Sequence, residues 1–402
     1  MPIDAAVRLG HRSAGRIRPQ LDELRRALVE RGNPQLDFSS ILVVGTNGKG
    51  STAAMLDALL RANGLSTGLF TSPHLVRVEE RVQLNGSAVD ETVLQSAIDH
   101  LDEYPDLTYF ETLTAAAFAI FSEAQVDVAV LEAGMGGSWD ATRLAESAVA
   151  GLTNIGSDHA GWLGAEPTEV ARDKGRALAA AERAVIGSGV DDDLVAWLGA
   201  PAVLRARSLV RCTDDGEGQV AMSWDGRETV VRMPLPGAFQ RDNLELALAL
   251  ALEAANAGWM SSLEPSRVQV ALDGMSWPGR LSVHRLMGRE VLTDCAHNLE
   301  AAKALAEHLD GLDCRYNLLF SCLDDKPVEA MAEILKDRVG EVVVCRLDGE
   351  RAMPVERLAA AFAGAEIAED PQSGLDRVSD PVLAAGSIRL VGALLALAET
   401  AR

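Results

Sequence analysis

The residues best placed to do chemistry are Gly45-Thr46-Asn47-Gly48-Lys49-Gly50-Ser51-Thr52, which follow the apolar run Ile41-Leu42-Val43-Val44. A glycine turn between a buried strand and a helix start aims backbone N–H groups inward, where they can hold phosphate oxygens. Lys49 can add a point charge, and Ser51 or Thr52 can set a hydroxyl on magnesium. The spacing departs from the common phosphate loop, which has four residues between its first glycine and Gly-Lys. Here only Thr46 and Asn47 intervene. An ordinary glycine-rich turn is the plain alternative. Lysine followed by Gly-Ser-Thr at a helix start nevertheless has a specific mechanical use, so the sequence predicts a nucleoside triphosphate site near the N-terminus.

Other candidates gather at the ends of apolar runs. Glu132 closes the run from Val126 to Leu131 and opens the turn Ala133-Gly134-Met135-Gly136-Gly137, where its carboxylate can face Mg²⁺ or cap the turn. Ser72 and His74 follow Leu69-Phe70, and His159 follows Asn154-Ile155-Gly156-Ser157-Asp158. His159 is a candidate magnesium or outer-sphere ligand that Asp158 could orient. Lys174, within Arg172-Asp173-Lys174-Gly175, reads by pattern alone as a solvated helix lysine. Asp294-Cys295-Ala296-His297-Asn298 ends a strand and starts a helix, and could grip ribose or phosphate or simply cap the helix. Arg280, at a domain boundary, could cover phosphates or make a boundary salt bridge. There is no GxSxG elbow and no strong Cys–His pair. The parts fit phosphoryl transfer by charge neutralisation rather than a protein nucleophile.

These residues need a scaffold, and the chain supplies one. Its 402 residues suit two domains, and 48% apolar content is enough for each to bury a core. A net charge of −22, from 59 acidic and 37 basic residues, disfavours nucleic acid and anionic lipid as partners. The five cysteines are scattered without CxxC spacing, which argues for a reducing compartment and against structural zinc. No signal-peptide core or membrane-length apolar stretch is evident, so the expected location is the cytoplasm.

The elements alternate. The sequence predicts an amphipathic helix over 18–31, a strand at 41–44, a helix over 50–62, a short strand at Leu69-Phe70 and a loop over 79–86. A helix over 110–124, strands at 126–131 and 148–155, a helix over 167–182 and a strand at 184–187 follow. This is a doubly wound α/β pattern, in which ligands collect beyond the C-terminal strand ends. Val220 to Trp224 and Thr229 to Met233, joined by Asp225-Gly226, read as one β-hairpin, with a helix over 241–257 behind it. Trp277-Pro278-Gly279-Arg280 marks a linker, after which the α/β pattern restarts with strands at 291–293, 317–320 and 342–345. The expected fold is an N-terminal doubly wound ATPase domain of the P-loop type (1–276) and a smaller Rossmann-like α/β domain (281–402).

The ordered motifs resemble the folylpolyglutamate synthase/dihydrofolate synthase family, a branch of the Mur ligase superfamily. They are Gly45 to Ser51, Thr71-Ser72-Pro73-His74-Leu75, Glu80-Arg81-Val82, Asn85-Gly86, Glu132 to Gly137, Asp158-His159, Trp277 to Arg280 and Asp294 to Asn298, with Asp325-Lys326 and Gly386-Ser387 further on. The resemblance implies an ATP-dependent amide ligase that joins L-glutamate to a pteroate or folate carboxylate through an acyl phosphate. It implies ATP held by Thr46, Asn47, Gly48, Lys49, Gly50, Ser51 and Thr52. Magnesium, in two sites, would be held by Ser51, Ser72, Glu132, His159 and a carbamylated Lys174. Asn243 would lie on the adenine side, and Arg280, Asp294 and His297 would contact the nucleotide. Family members are generally monomers.

Departures from the family pattern are specific. The turn after Glu132 usually runs Gly-Gly-Arg-Leu-Asp-Ala-Thr-Asn, but here it is Gly136-Gly137-Ser138-Trp139-Asp140-Ala141-Thr142-Arg143. Phe239 stands for a His, Leu299 for a Pro and Gly175 for an Ala. Two other readings stay open at this point: a cell-wall precursor ligase of the Mur type, and a nucleotide-binding regulatory protein without catalysis.

Overall fold

Apolar runs too continuous for a one-sided sheet build the centre of the N-terminal part. The computed structural model describes residues 9, 20–156, 160–164, 166–214 and 219–400. It divides into two units, Met1–Pro234 with Gln240–Met275, and Leu235–Phe239 with Ser276–Arg402.

In the first unit, β1 (Ser39–Val44), β2 (Thr67–Phe70), β3 (Val82–Leu84), β4 (Ser87–Ala88), β5 (Val128–Glu132), β6 (Val149–Asn154), β7 (Arg183–Gly189) and β8 (Leu204–Arg205) form one sheet in the order β4-β3-β2-β5-β1-β6-β7-β8. The strands from β2 to β8 in that order run parallel, while β3 and β4 add antiparallel at one edge. All five residues of β5 are buried, as a parallel strand covered on both faces requires. The helix Tyr109–Glu123 buries Phe118 and Phe121 in the same core as Phe70. Each such ring contributes about 1.5–3 kcal/mol relative to exposure. The chain leaves β1 toward β2 and β5 on one side and later adds β6 to β8 on the other. The winding therefore reverses around β1, and a crevice opens beyond its C-terminal end.

Residues 79–86 are not the single loop that the sequence suggests. Val78–Arg81 is a short 3-10 helix, and β3 and β4 form a hairpin whose turn residues Asn85 and Gly86 have φ of 49° and 80°. Each strand has only two or three residues, too short to show alternation. The expected hairpin near 220 is present as β10 (Gln219–Trp224) and β11 (Arg227–Arg232), with positive φ at Asp225 and Gly226. A third strand, β9 (Arg211–Asp214), pairs with β10.

The second unit has a six-stranded sheet. Its strands are β12 (Ser282–Leu286), β13 (Arg289–Thr293), β14 (Asn317–Phe320), β15 (Val342–Cys345), β16 (Glu366–Ala368) and β17 (Val382–Ala385), in the order β12-β13-β17-β14-β15-β16. Only the β12–β13 pair is antiparallel. Apolar clusters cover both faces of the sheet. The short strand β16 and the helices Val355–Ala361 and Pro371–Arg377 are too short for a periodic pattern to stand out in sequence. Among the described residues no helix is long and apolar enough to cross a membrane.

Candidate active site

The glycine turn is shaped by what surrounds it. A Cβ on Gly45 would overlap the Thr153 hydroxyl, and one on Gly48 would overlap the Asn243 carboxamide. Gly48 also sits at φ 81°, in the left-handed region, as the residue that opens the helix Lys49–Ala62. No side chain caps that helix, so its first-turn N–H groups face outward as anion donors. Lys49 Nζ donates to the Thr46 carbonyl at 3.2 Å, which folds the ammonium back over the turn. Ser51 is 2% exposed and its Oγ accepts from Gln240 Nε2 at 3.5 Å. Asn243 donates to Gln240 Oε1 at 2.9 Å and accepts from Thr52 Oγ1 at 3.4 Å. In this structure Asn243 therefore supports the turn from beneath.

The end of β6 holds the turn from the other side. Thr46 N and Asn47 N donate to Asn154 Oδ1 at 3.1 and 2.9 Å, and Thr153 Oγ1 donates to the Asn47 carbonyl at 2.6 Å. Thr46 Oγ1 donates to the Gly156 carbonyl and accepts from Gly156 N. Sequence reading gave these contacts no role.

Glu132 lies opposite Val43 in the β1–β5 register, two residues before Gly45, and is buried. Its Oε2 accepts from Ser72 N at 2.9 Å, so Ser72 and Glu132 are brought together. Arg81 is also buried, stacks 5.2 Å over the Tyr109 ring and has the Glu132 charge within its field. Burial lowers the guanidinium pKa, and Tyr109, Glu132 and Glu80 oppose that shift. Arg81 Nε donates to His74 Nδ1 at 2.9 Å. Burial, helped by Arg81, pushes His74 down to about 4, so it is a neutral acceptor near pH 7. Glu80 accepts from the N–H groups of Leu75, Val76 and Arg77, which fixes the strand-end loop that carries Ser72 and His74. Asp158 and His159 lie outside the described residues.

Lys174 corrects the pattern-based reading of a solvated lysine. It is 2% exposed and its Nζ donates to the Gly45 carbonyl at 2.8 Å. The helix Pro167–Ala180 is amphipathic in an unusual sense, because Asp173 and Lys174 occupy its buried face under the Gly134–Gly137 turn. Asp173 accepts from Gly137 N at 2.7 Å, and a Cβ on Gly137 would press on the backbone of Asp173 and Lys174. Gly175 has its own reason, since a Cβ there would overlap the Leu198 carbonyl.

The departures cluster beside this helix. Arg143 Nη1 donates to the Ser138 carbonyl at 2.5 Å, and Arg176 Nη1 donates to Ser138 Oγ at 3.0 Å. A guanidinium at residue 143 thus folds back onto the position from which the family arginine is missing. Asp140 accepts from Met135 N, Thr142 N and Thr142 Oγ1, while burial pushes its pKa up against those bonds. Trp139, Trp162, Leu163, Glu169, Arg172 and Arg176 line a recess of about 180 Å³ with Asp173 at one wall.

In the second unit, Asp294 is buried at the end of β13 and accepts from Leu281 N at 3.0 Å and Ala296 N at 2.8 Å. Desolvation raises its pKa, and Arg280 is the main opposing charge, which puts these two residues in one electrostatic group. His297 Nδ1 donates to the Cys295 carbonyl at 2.8 Å. Asn298 caps the helix Leu299–Asp310 by accepting from Ala301 N at 2.9 Å, so the capping alternative holds for that residue. Phe239 packs against the apolar cluster of this unit, where a His would bury a polar ring.

Open first-turn N–H groups, glycines that no side chain can replace and Lys49 over the turn suit a phosphate chain. Among the described residues no three His, Cys, Asp or Glu side chains converge as a metal site by themselves. A cation at Glu132 would complete its shell with hydroxyl, water and phosphate oxygens, which is the habit of magnesium.

Comparisons with known proteins bear on the family and the fold. Residues 43–251 match the Mur ligase middle domain, and residues 279–392 match the Mur ligase, glutamate ligase domain. The chain is 32% identical, over 95% of its length, to a Haloferax volcanii protein described as a "probable bifunctional folylpolyglutamate synthase/dihydropteroate synthase". It spans 48% of that protein, about half the length of the first curated relatives it matches. The Mycobacterium tuberculosis folylpolyglutamate synthase complexed with ADP superposes with a TM-score of 0.87 at 31% identity, covering 98% of this chain and 97% of that one. The Yersinia pestis bifunctional folylpolyglutamate synthase/dihydrofolate synthase complexed with AMPPNP and Mn ion gives 0.84 at 26%, covering 98% and 97%.

Proposed function

The chain belongs to the folylpolyglutamate synthase/dihydrofolate synthase family, and from that premise we propose that it is an ATP-dependent ligase adding L-glutamate to dihydropteroate, reduced folates or both. The observation that carries the reading is the Gly45–Ser51 turn. It keeps its helix-start amides open between two lysines, Lys49 and Lys174, and stands one strand away from the buried carboxylate of Glu132.

Lys49 and the amides of the first helical turn hold the triphosphate and neutralise its charge. Ser51 and Glu132 would hold a magnesium ion. Ser72, His159 and a carbamylated Lys174 would serve a second. When bound, the metal withdraws charge from the phosphoryl oxygens in flight. The acceptor's carboxylate attacks the γ-phosphorus and expels ADP, leaving an acyl phosphate. The glutamate amine then attacks the acyl carbon, loses a proton and expels inorganic phosphate. Lys174 becomes a ligand only after its ammonium sheds one proton, the free amine adds to carbon dioxide and a second proton leaves, which exchanges a cation for an oxygen anion. Arg280, Asp294 and His297 are proposed as the nucleotide-facing residues of the second unit, and Asn243 as the adenine-side residue of the first. The monomeric, cytoplasmic form is part of the same proposal.

The test is phosphate release and product mass with dihydropteroate or tetrahydrofolate, with and without glutamate. Glutamate-dependent product with either acceptor supports the reading. ATP binding without product from any pterin acid would contradict it.

A further inference from the structure

Asn154 has no counterpart among the residues assigned above, yet the local backbone is built around it. It is the last residue of β6, where the pairing with β7 loses register between Leu152 and Asn154. Such an irregularity turns a side chain out of the sheet alternation. Two glycines of β7 make room for it. A Cβ on Gly187 would press on the Thr153 carbonyl at 2.8 Å, and one on Gly189 would meet Asn154 Cβ at 2.9 Å.

The re-aimed carboxamide lands on the glycine turn of β1. Its Oδ1 accepts from both Thr46 N and Asn47 N, and its backbone carbonyl also accepts from Thr46 N at 3.2 Å. Thr153, the preceding residue, ties down the Asn47 carbonyl. The turn's donors are thereby divided. Two amides are satisfied inside the protein, and the uncapped first turn beginning at Gly48 is left for an anion.

We propose that Asn154 is a positioning residue of the nucleotide site. It clamps the front half of the turn so that only the amides from Gly48 onward are offered to phosphate. This rests on the nucleotide reading above. A neutral acceptor is essential to the role. An aspartate would keep both hydrogen bonds but set a negative charge beside the phosphates, whereas an alanine would release the Asn47 amide and leave Thr46 N only the backbone carbonyl of residue 154.

The experiment uses the full chain, with backbone hydrogen exchange in the absence of nucleotide and calorimetric binding of ADP with magnesium. In the wild type the Thr46 and Asn47 amides are slow to exchange. In Asn154→Ala the Asn47 amide exchanges at least about tenfold faster, while Thr46 N keeps the backbone carbonyl as its partner, and ADP binds about tenfold more weakly, the weight of about one net hydrogen bond. Asn154→Asp keeps the protection and the melting temperature, because a charged acceptor strengthens both bonds. It weakens ADP by more than about tenfold through charge repulsion alone. Unchanged protection of the Asn47 amide in Asn154→Ala, or wild-type ADP affinity in Asn154→Asp, overturns the clamp. Failure of the wild type to bind ADP would instead overturn the nucleotide reading, and the exchange data would still decide whether Asn154 holds the turn.

Discussion

Replacing Gly48 with alanine tests whether the turn's shape is dictated by its neighbours. Gly48 has φ 81°, which costs an L-residue roughly 1–2 kcal/mol. The added methyl also overlaps the Asn243 carboxamide, which is not a loose end. Asn243 is buried and bonded to Gln240 and Thr52. Moving it sacrifices those two bonds, at about 1 kcal/mol each. Gly48→Ala should therefore destabilise the N-terminal unit by about 3–4 kcal/mol, read as a shift in urea midpoint at constant slope. In an Asn243→Ala background the overlap is gone and only the backbone cost of roughly 1–2 kcal/mol remains. The expected coupling between the two sites is about 2 kcal/mol. A coupling below about 0.5 kcal/mol would refute the packing argument.

Other perturbations probe the charges. Lys49→Met removes a unit charge worth about 4 kcal/mol at 4 Å and an effective dielectric near 20, so ATP affinity should fall by about 100-fold or more while the urea midpoint barely moves. Glu132→Gln keeps the acceptor for Ser72 N but removes the charge that faces Arg81. It should cost about 1–3 kcal/mol of stability and lower turnover by about 100-fold or more. Lys174→Ala should abolish turnover, and formate or acetate should restore part of it by supplying the missing oxygen anion, which a glutamate-dependent phosphate assay would detect. His74 is depressed to about 4 from an ordinary 6.5, so the folded state prefers it neutral. The stability it contributes is complete above 6.5 and is lost as pH falls through about 4. His74→Gln should flatten that part of the acid limb, with the ring resonances of the wild type reporting the low titration by NMR.

The parallel strands were legible because β1, β5 and β6 are buried nearly throughout and each carries a continuous run without a charge before its end, as a chain covered on both faces does. Glu132 stood out for the opposite reason, as a charge ending such a run. Lys174 was invisible to periodicity. Arg172, Asp173 and Lys174 spell a solvated helix face, and only the Gly137 turn packed onto that helix reverses the reading. The Arg81–His74 pair and the Asn154 clamp depend on which strand ends meet in space, and β6 is separated from the turn by about a hundred residues. β3, β4 and β16 were missed or read as loop because two or three residues carry no measurable alternation. The departures at 138 and 143 are neighbours in one turn of the sequence, and their direct link, the Arg143 guanidinium returning to the Ser138 carbonyl, exists only in the folded turn.

The central claim is that the acceptor's carboxylate is activated by phosphoryl transfer, and isotope transfer tests it most directly. Dihydropteroate or tetrahydrofolate labelled with ¹⁸O in the reacting carboxylate is incubated with ATP, magnesium, glutamate and the protein, and the released phosphate is analysed by mass. Attack of that carboxylate on the γ-phosphorus requires one labelled oxygen to leave in each phosphate formed alongside the amide. Amide product accompanied by unlabelled phosphate would contradict the mechanism.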